Sequence, residues 1–107
     1  MPLESKFQTE LIKEIKQKYP GAVILKNDPN YLLGVPDWLV LYEDRWAMLE
    51  AKASKNAEHQ PNQDYWIKKL FYMSYASFVY PENKEQVLYE LQKSFGISGS
   101  TRFSRCK

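Results

Sequence analysis

Cysteine is nearly missing from this chain: Cys106 stands alone, so no internal disulfide can form. Histidine is equally scarce, and with His59 as the single example no Cys/His cluster offers a zinc site. The default setting for such a chain is a reducing cytoplasm. No apolar run approaches the ~18 residues that a membrane span requires. The opening MPLESKF lacks the apolar core of a signal peptide. The expected protein is therefore soluble, not exported and without a membrane partner. Strong charge of one sign is also lacking. A formal net charge of +2 is too small to mark an electrostatic DNA binder and does not exclude one.

What the chain does contain is enough apolar material for one core. At 107 residues, 44% hydrophobic and 15% aromatic, it suits a single domain. Phe7, Leu11, Ile12, Ile15 and Tyr19 recur at helical spacing over residues 5–19, and Ser5 with Gln8 fits a capping box. Pro20 and Gly21 end that helix; AVILK at 22–26 reads as a strand and NDPNYLLG at 27–34 as a turn-rich loop. Residues 35–42 (VPDWLVLY) and 45–52 (RWAMLEAK) are strand-like and separated only by Glu43 and Asp44, which predicts an antiparallel hairpin. The polar ASKNAEHQ that follows is expected to be a mobile loop. Pro61 then suits the first turn of a second helix, with Asp64 at the positive end of its dipole and Trp66, Leu70 and Met73 as its apolar stripe. SFVY at 77–80 reads as a fourth strand, and Val87, Leu88, Leu91 and Phe95 mark a third helix that Gly96 terminates. This order predicts an α/β fold, with helices flanking a mixed central sheet of about four strands. Residues 1–96 are the expected domain, and ISGSTRFSRCK at 97–107 reads as a basic, loosely ordered tail.

The hairpin carries charges that strands of this kind rarely hold. Glu43-Asp44 lacks the Asn-Gly preference of two-residue turns, so a four-residue loop is expected. Either loop, centred between those two residues, sets Asp37 opposite Glu50 with their Cβ atoms about 4.5–5.5 Å apart, whereas a three-residue loop would shift the register by one. Lys52 lies two residues past Glu50 and shares its face, because side chains alternate along a strand. Leu39, Leu41, Trp46 and Met48 lie on that same face, while Trp38, Val40, Ala47 and Leu49 line the other. With both faces apolar, three converging charges require a reason.

Two carboxylates held side by side repel unless a cation or a shared proton intervenes. Asp37 and Glu50 offer hard oxygen ligands. Mg²⁺ takes one or two carboxylates, keeps several waters and completes its shell with phosphate oxygens. The expected cofactor is therefore Mg²⁺ or Mn²⁺ and the expected substrate a phosphate ester. Lys52 can contact the scissile phosphate as a point charge or hold and help deprotonate the attacking water. The plainer alternatives are a turn residue after Pro36 and a solvated strand end at Glu50 and Lys52. The apolar alternation around them argues against both.

Pro36-Asp37, an apolar run and then Glu50-Ala51-Lys52 resemble the PD-(D/E)XK nuclease superfamily, whose fold is a restriction-endonuclease-like α-β-β-β-α-β core. The element order read above agrees with that core, with an extra C-terminal helix. Gly34-Val35-Pro36-Asp37, the short hairpin and Gln63 just inside the next helix are most similar to the virus-type replication-repair (VRR-NUC) nucleases and, beyond them, to archaeal-type Holliday junction resolvases. The resemblance spans residues 5–95. It implies a Mg²⁺- or Mn²⁺-dependent endonuclease acting on DNA, with Asp37, Glu50, the main chain of Ala51 and Glu10 on the metal, and Asp37, Glu50, Lys52 and Gln63 in catalysis. Glu14 rivals Glu10, and His59 and Gln60 are alternatives to Gln63. Phage-type replication, recombination or repair inside a bacterial cell is the implied setting, and a homodimer the implied assembly.

For binding, Lys55, Lys68 and Lys69 can meet phosphates, as can Arg102, Arg105 and Lys107 in the tail. Tyr31 and Trp66 are candidates for stacking on unpaired bases, with a core role the alternative for Trp66. A lone core with no separate recognition domain would select DNA by structure: a branch, junction, flap or nick. A non-catalytic binding member of the fold and a sequence-specific restriction or homing-type nuclease are the competing expectations.

Overall fold

The computed structural model describes residues 3–96 of the chain, so the expected basic tail lies outside the described residues. Helix α1 spans Leu3–Lys18. Phe7, Leu11, Ile15 and Tyr19 recur once per turn on one side of its axis, and all four are buried. Ser5 lies inside this helix, its carbonyl accepting the Thr9 hydroxyl at 3.0 Å, so Ser5 and Gln8 do not form the expected cap. Gly21, at φ 93, makes the left-handed turn that leads into strand β1, Val23–Lys26.

Strands β2 (Trp38–Tyr42) and β3 (Arg45–Ala51) form the hairpin, and β4 (Tyr75–Val79) follows helix α2 (Gln63–Met73). The sheet order is β1-β2-β3-β4; the first two pairings are antiparallel and β3 runs parallel to β4. A parallel neighbour cannot be reached by a tight turn, and α2 supplies the crossover. The result is an α/β fold with a mixed, open four-stranded sheet and three helices. The last of these, α3 (Lys84–Ser94), follows a 3₁₀ turn at Pro81–Asn83 and buries Val87, Leu88 and Leu91, with Phe95 after it.

Hairpin pairing is as the sequence predicts: Trp38 faces Leu49, Val40 faces Ala47 and Tyr42 faces Arg45. The tip differs. Tyr42 and Arg45 close a two-residue turn with Glu43 at φ 56, so the expected four-residue loop is corrected. A two-residue hairpin turn demands positive φ at its first central position, and here Glu43 adopts it without glycine's freedom. The loop is centred on the same point, so the register is unchanged.

Two other boundaries shift. Ser74 leaves the helical region at φ −155, ψ −111 and its hydroxyl donates to the Trp46 carbonyl; β4 therefore begins at Tyr75, two residues earlier than expected. Helix α2 starts at Gln63 rather than Pro61, after Asn62 at φ 71. Of its expected stripe, Leu70 is buried and Trp66 half-buried, but Met73 is 63% exposed because it sits at the helix end next to the turn into β4.

The two sheet faces are covered unequally. Val40, Tyr42, Ala47, Leu49, Ala51, Tyr75 and Val79 are buried against α1 and α3, with the rings of Tyr19, Tyr42 and Phe95 meeting at 5.3–5.4 Å. Leu39, Leu41, Trp46 and Met48 on the opposite face are only half-buried, because α2, the described helix on that side, packs chiefly on β4. Beside them on β1, Val23 and Leu25 are 49% and 46% exposed. The expectation that both faces are fully covered therefore holds for one. The charged end of the hairpin lies on the half-covered face. Among the described residues no helix is long and apolar enough to cross a membrane.

Candidate active site

Asp37 immediately precedes β2, Glu50 is the penultimate residue of β3, and Lys52 follows it. Their convergence is local in origin. The hairpin register carries Asp37 to Glu50, and the Asp37 N–H donates to Glu50 Oε1 at 3.1 Å. Glu50 is 3% and Lys52 7% exposed, an unusual depth for either residue type. The Lys52 ammonium lies 4.0 Å from Glu50 Oε2 and donates to the Glu58 carbonyl at 3.1 Å. An ammonium has three donors. Asp37 is more open, with its side chain 20% exposed and its Oδ1 4.0 Å from the Lys26 ammonium.

Gln63, expected over a phosphate, is 8% exposed and works as a strut. Its Nε2 donates to Glu50 Oε2 at 3.1 Å, and its Oε1 accepts the Gln60 N–H at 2.8 Å. Both partners select the same amide orientation, since a carboxylate needs a donor and an N–H an acceptor. Gln63 thus positions Glu50, and Gln60 in turn positions Gln63.

The main chain supplies another oxygen. The Lys52 N–H donates to the Val79 carbonyl at 2.9 Å, on the β4 side. Across the trans peptide the Ala51 carbonyl points the other way, toward the β2 side. Continuing the register beyond Leu49–Trp38 brings Pro36 opposite Ala51, and proline has no N–H to offer that carbonyl. The Pro36 carbonyl is itself held by Asn27 Nδ2 at 2.9 Å, while the Asn27 N–H donates to the Asp37 carbonyl at 2.7 Å.

Glu10 is not gathered with these groups. It is exposed on α1 and lines a cavity of about 330 Å³ with Lys6, Phe7, Ala53, Pro81 and Lys84. Among the described residues no three His, Cys, Asp or Glu side chains are grouped to hold a metal. Its rival Glu14 accepts a 2.9 Å bond from Lys84, whose ammonium is held above its usual pKa chiefly by that bond. His59 and Gln60 are both tied to neighbouring residues. The His59 ring stacks on Phe78 with centroids 4.0 Å apart, and Asp64 Oδ1 lies 2.8 Å from its Nδ1. The Lys55 N–H donates to Glu82 Oε1 at 3.2 Å. Lys55, Lys68 and Lys69 are exposed, Tyr31 is 87% exposed, and Arg102, Arg105 and Lys107 lie outside the described residues.

Sequence reasoning missed three supports. Gly34 has φ 90, and a Cβ there would lie 2.6 Å from Asn62 Cβ and 2.8 Å from the Pro61 carbonyl oxygen. The loop before Asp37 is pressed directly on the loop before Gln63, a contact only glycine allows. Lys26 sits beside Asp37 and 4.8 Å from the centre of the Trp38 ring. Asn27 ties down both carbonyls that flank the turn into Asp37. Only Gly34 carried a sequence signal, as the glycine closing a turn-rich run.

In chemical terms, a basic group and two carboxylates surround a corner where one carboxylate is fixed by two donors and the other remains accessible. The donor set suits a hard divalent cation of Mg²⁺ type: two carboxylates and one carbonyl, leaving room for waters and phosphate oxygens. Compared with known proteins, the chain matches no family model, no curated protein and no solved structure.

Proposed function

We propose that this chain is a Mg²⁺- or Mn²⁺-dependent endonuclease that hydrolyses DNA phosphodiester bonds, built on a restriction-endonuclease-like core. The observation that carries the reading is the pinned Glu50 carboxylate. It is buried, fixed on one oxygen by the Asp37 N–H and on the other by Gln63, with the Lys52 ammonium alongside. Holding a carboxylate and an ammonium out of water costs several kcal/mol per ion. A fold that keeps both beside the partly exposed Asp37 preorganises charge for a ligand.

Asp37, Glu50 and the Ala51 carbonyl would hold the cation, which when bound supplies Lewis-acid polarisation of the phosphoryl group. Glu50 arrives already oriented, so little reorganisation accompanies the reaction. Lys52 keeps one donor on Glu58 and aims its charge at the phosphate oxygens or the attacking water. Gln63 contributes by orienting Glu50. Selection by DNA structure would favour junctions, flaps and nicks. A homodimer fits the half-covered apolar face of β1–β3, since exposed apolar area of this kind marks interaction surfaces.

The test is incubation of the pure protein with Mg²⁺ or Mn²⁺ and a panel of four-way junctions, flaps, nicked duplexes, single strands and supercoiled plasmid. Cleavage by wild type should vanish with chelator and in Asp37→Ala and Lys52→Ala. Absence of cleavage, or its survival in either variant, refutes the mechanism. Discrete fragments from long duplex DNA would replace structural selection with sequence reading.

A further inference from the structure

A second feature lies on the same sheet face beyond Glu50. Parallel pairing sets Phe78 of β4 beside Glu50 of β3, about 4.8 Å away between strands and on the same face. His59 covers Phe78, its ring inclined by 19°, and Asp64 holds its Nδ1. From this point an open groove of about 500 Å³ runs between α2 and the Pro81–Asn83 turn, lined by Lys55, His59, Lys68, Phe71, Tyr72 and Tyr80 among others. Among the described residues no carboxylate lines it, though Asp64 and Glu82 bond His59 and the Lys55 main chain at its edge. The ammonium groups of Lys55 and Lys68 form no ion pair among the described residues. Tyr72 is 78% and Phe71 51% exposed, so much of each ring faces solvent.

We propose that this groove is a subsite for an unpaired DNA strand, with bases stacking on Tyr72 and its neighbouring rings and phosphates met by Lys55 and Lys68. Cations without ion-pair partners beside exposed aromatic rings are what a single strand needs: charge along the backbone and a π surface for each base. Phe78 lines the groove and is the cross-strand neighbour of Glu50, so the groove lies one strand away from the cleavage corner. This inference rests, for its substrate and direction, on the reading of Asp37, Glu50 and Lys52 as a phosphodiester-cleaving site. It sharpens that reading toward flaps and other junctions with an unpaired arm.

The test is fluorescence anisotropy of the full chain in chelator, which prevents cleavage, with a short labelled oligothymidylate and an abasic strand of equal length. Tyr72→Ala should weaken oligothymidylate binding about fivefold or more and leave the abasic strand unaffected. Lys68→Ala should reduce the slope of log affinity against log salt by about 0.7 for both strands. Tyr89→Ala, an exposed aromatic on α3, serves as the control and should bind as wild type. All three side chains are exposed, and unchanged circular dichroism confirms their folding. No strand binding by wild type, wild-type affinity in Tyr72→Ala and Lys68→Ala, or an equal loss in Tyr89→Ala overturns the proposal. The expected binding pattern without cleavage by any metal overturns the nuclease reading and leaves the groove standing. Cleavage by wild type with undisturbed binding in the groove variants does the reverse.

Discussion

Replacing Glu50 by glutamine keeps its shape and removes its charge, and the consequences can be worked from the geometry. The Lys52 ammonium 4.0 Å away loses an attraction of about 4 kcal/mol at an effective dielectric near 20. One carboxylate oxygen accepts the Asp37 N–H and the other accepts Gln63 Nε2, so the new amide NH₂ must face one of these donors. That leaves an unsatisfied buried donor, costing about 1–3 kcal/mol. Relief of repulsion with Asp37 offsets part of this. The metal-free variant should therefore lose stability by roughly 3 kcal/mol, the lower end of the range for removing one partner of a buried pair. The sharper effect is on linkage. At a Mn²⁺ concentration 100-fold above its Kd, wild type should gain about 2.7 kcal/mol. For a domain of this size that is a rise in Tm of roughly 10 °C or more. Glu50→Gln should gain almost nothing, whereas Asp44→Asn, at the exposed hairpin tip, should keep the full gain. Thermal melts followed by tryptophan fluorescence, with and without Mn²⁺, read all three. An equal Mn²⁺ shift in wild type and Glu50→Gln, or no shift in wild type, would refute the placement of a cation at this corner.

Gly34→Ala should destabilise the fold by about 2 kcal/mol or more, read from the urea midpoint, because positive φ and the 2.6 Å approach to Asn62 both oppose a Cβ. Leu11→Ala, at a fully buried position of α1, should cost about 2–5 kcal/mol in the same assay without altering the site's metal response. Tyr19 predicts an alkaline weakness. Burial, aided by Tyr42, pushes its hydroxyl up to about 12, so its neutral form is favoured in the fold. That stability is intact below pH 10, the ordinary tyrosine value, and is lost as pH rises toward 12. Tyr19→Phe should flatten the fall in stability across this window by up to about 1.4 kcal/mol per pH unit, and an unchanged slope in urea titrations would contradict the assignment.

Features set by short-range periodicity were legible in the chain itself. The buried stripe of α1 follows from Phe7, Leu11, Ile15 and Tyr19, and that of α3 from Val87, Leu88, Leu91 and Phe95. Boundaries governed by competition between neighbours were not. Tyr75 continues a plausible helical pattern, yet Ser74 ends the helix by bonding the Trp46 carbonyl, a residue far away in sequence. The tip at Glu43-Asp44 has no turn-forming glycine or asparagine, and the two long strands impose a tight turn on it. Met73 belongs to a stripe on paper, but the helix meets the sheet for too short a distance to bury it.

Alternation along two strands joined near Glu43-Asp44 was enough to predict that Asp37 faces Glu50 and that Lys52 shares their side; the structure selects that register over the one-residue shift a three-residue loop would give. Only the tertiary structure decided what surrounds them. Gln63 reaches Glu50 because Gly34 lets the Pro61-Asn62 loop press close. Lys52 is steadied by the Glu58 carbonyl, Lys26 comes to Asp37 from β1, and Glu10 joins no group of three acidic side chains among the described residues. A period of two is written in the order of residues; the path of a loop depends on which distant surfaces it can pack against, and local order does not encode that.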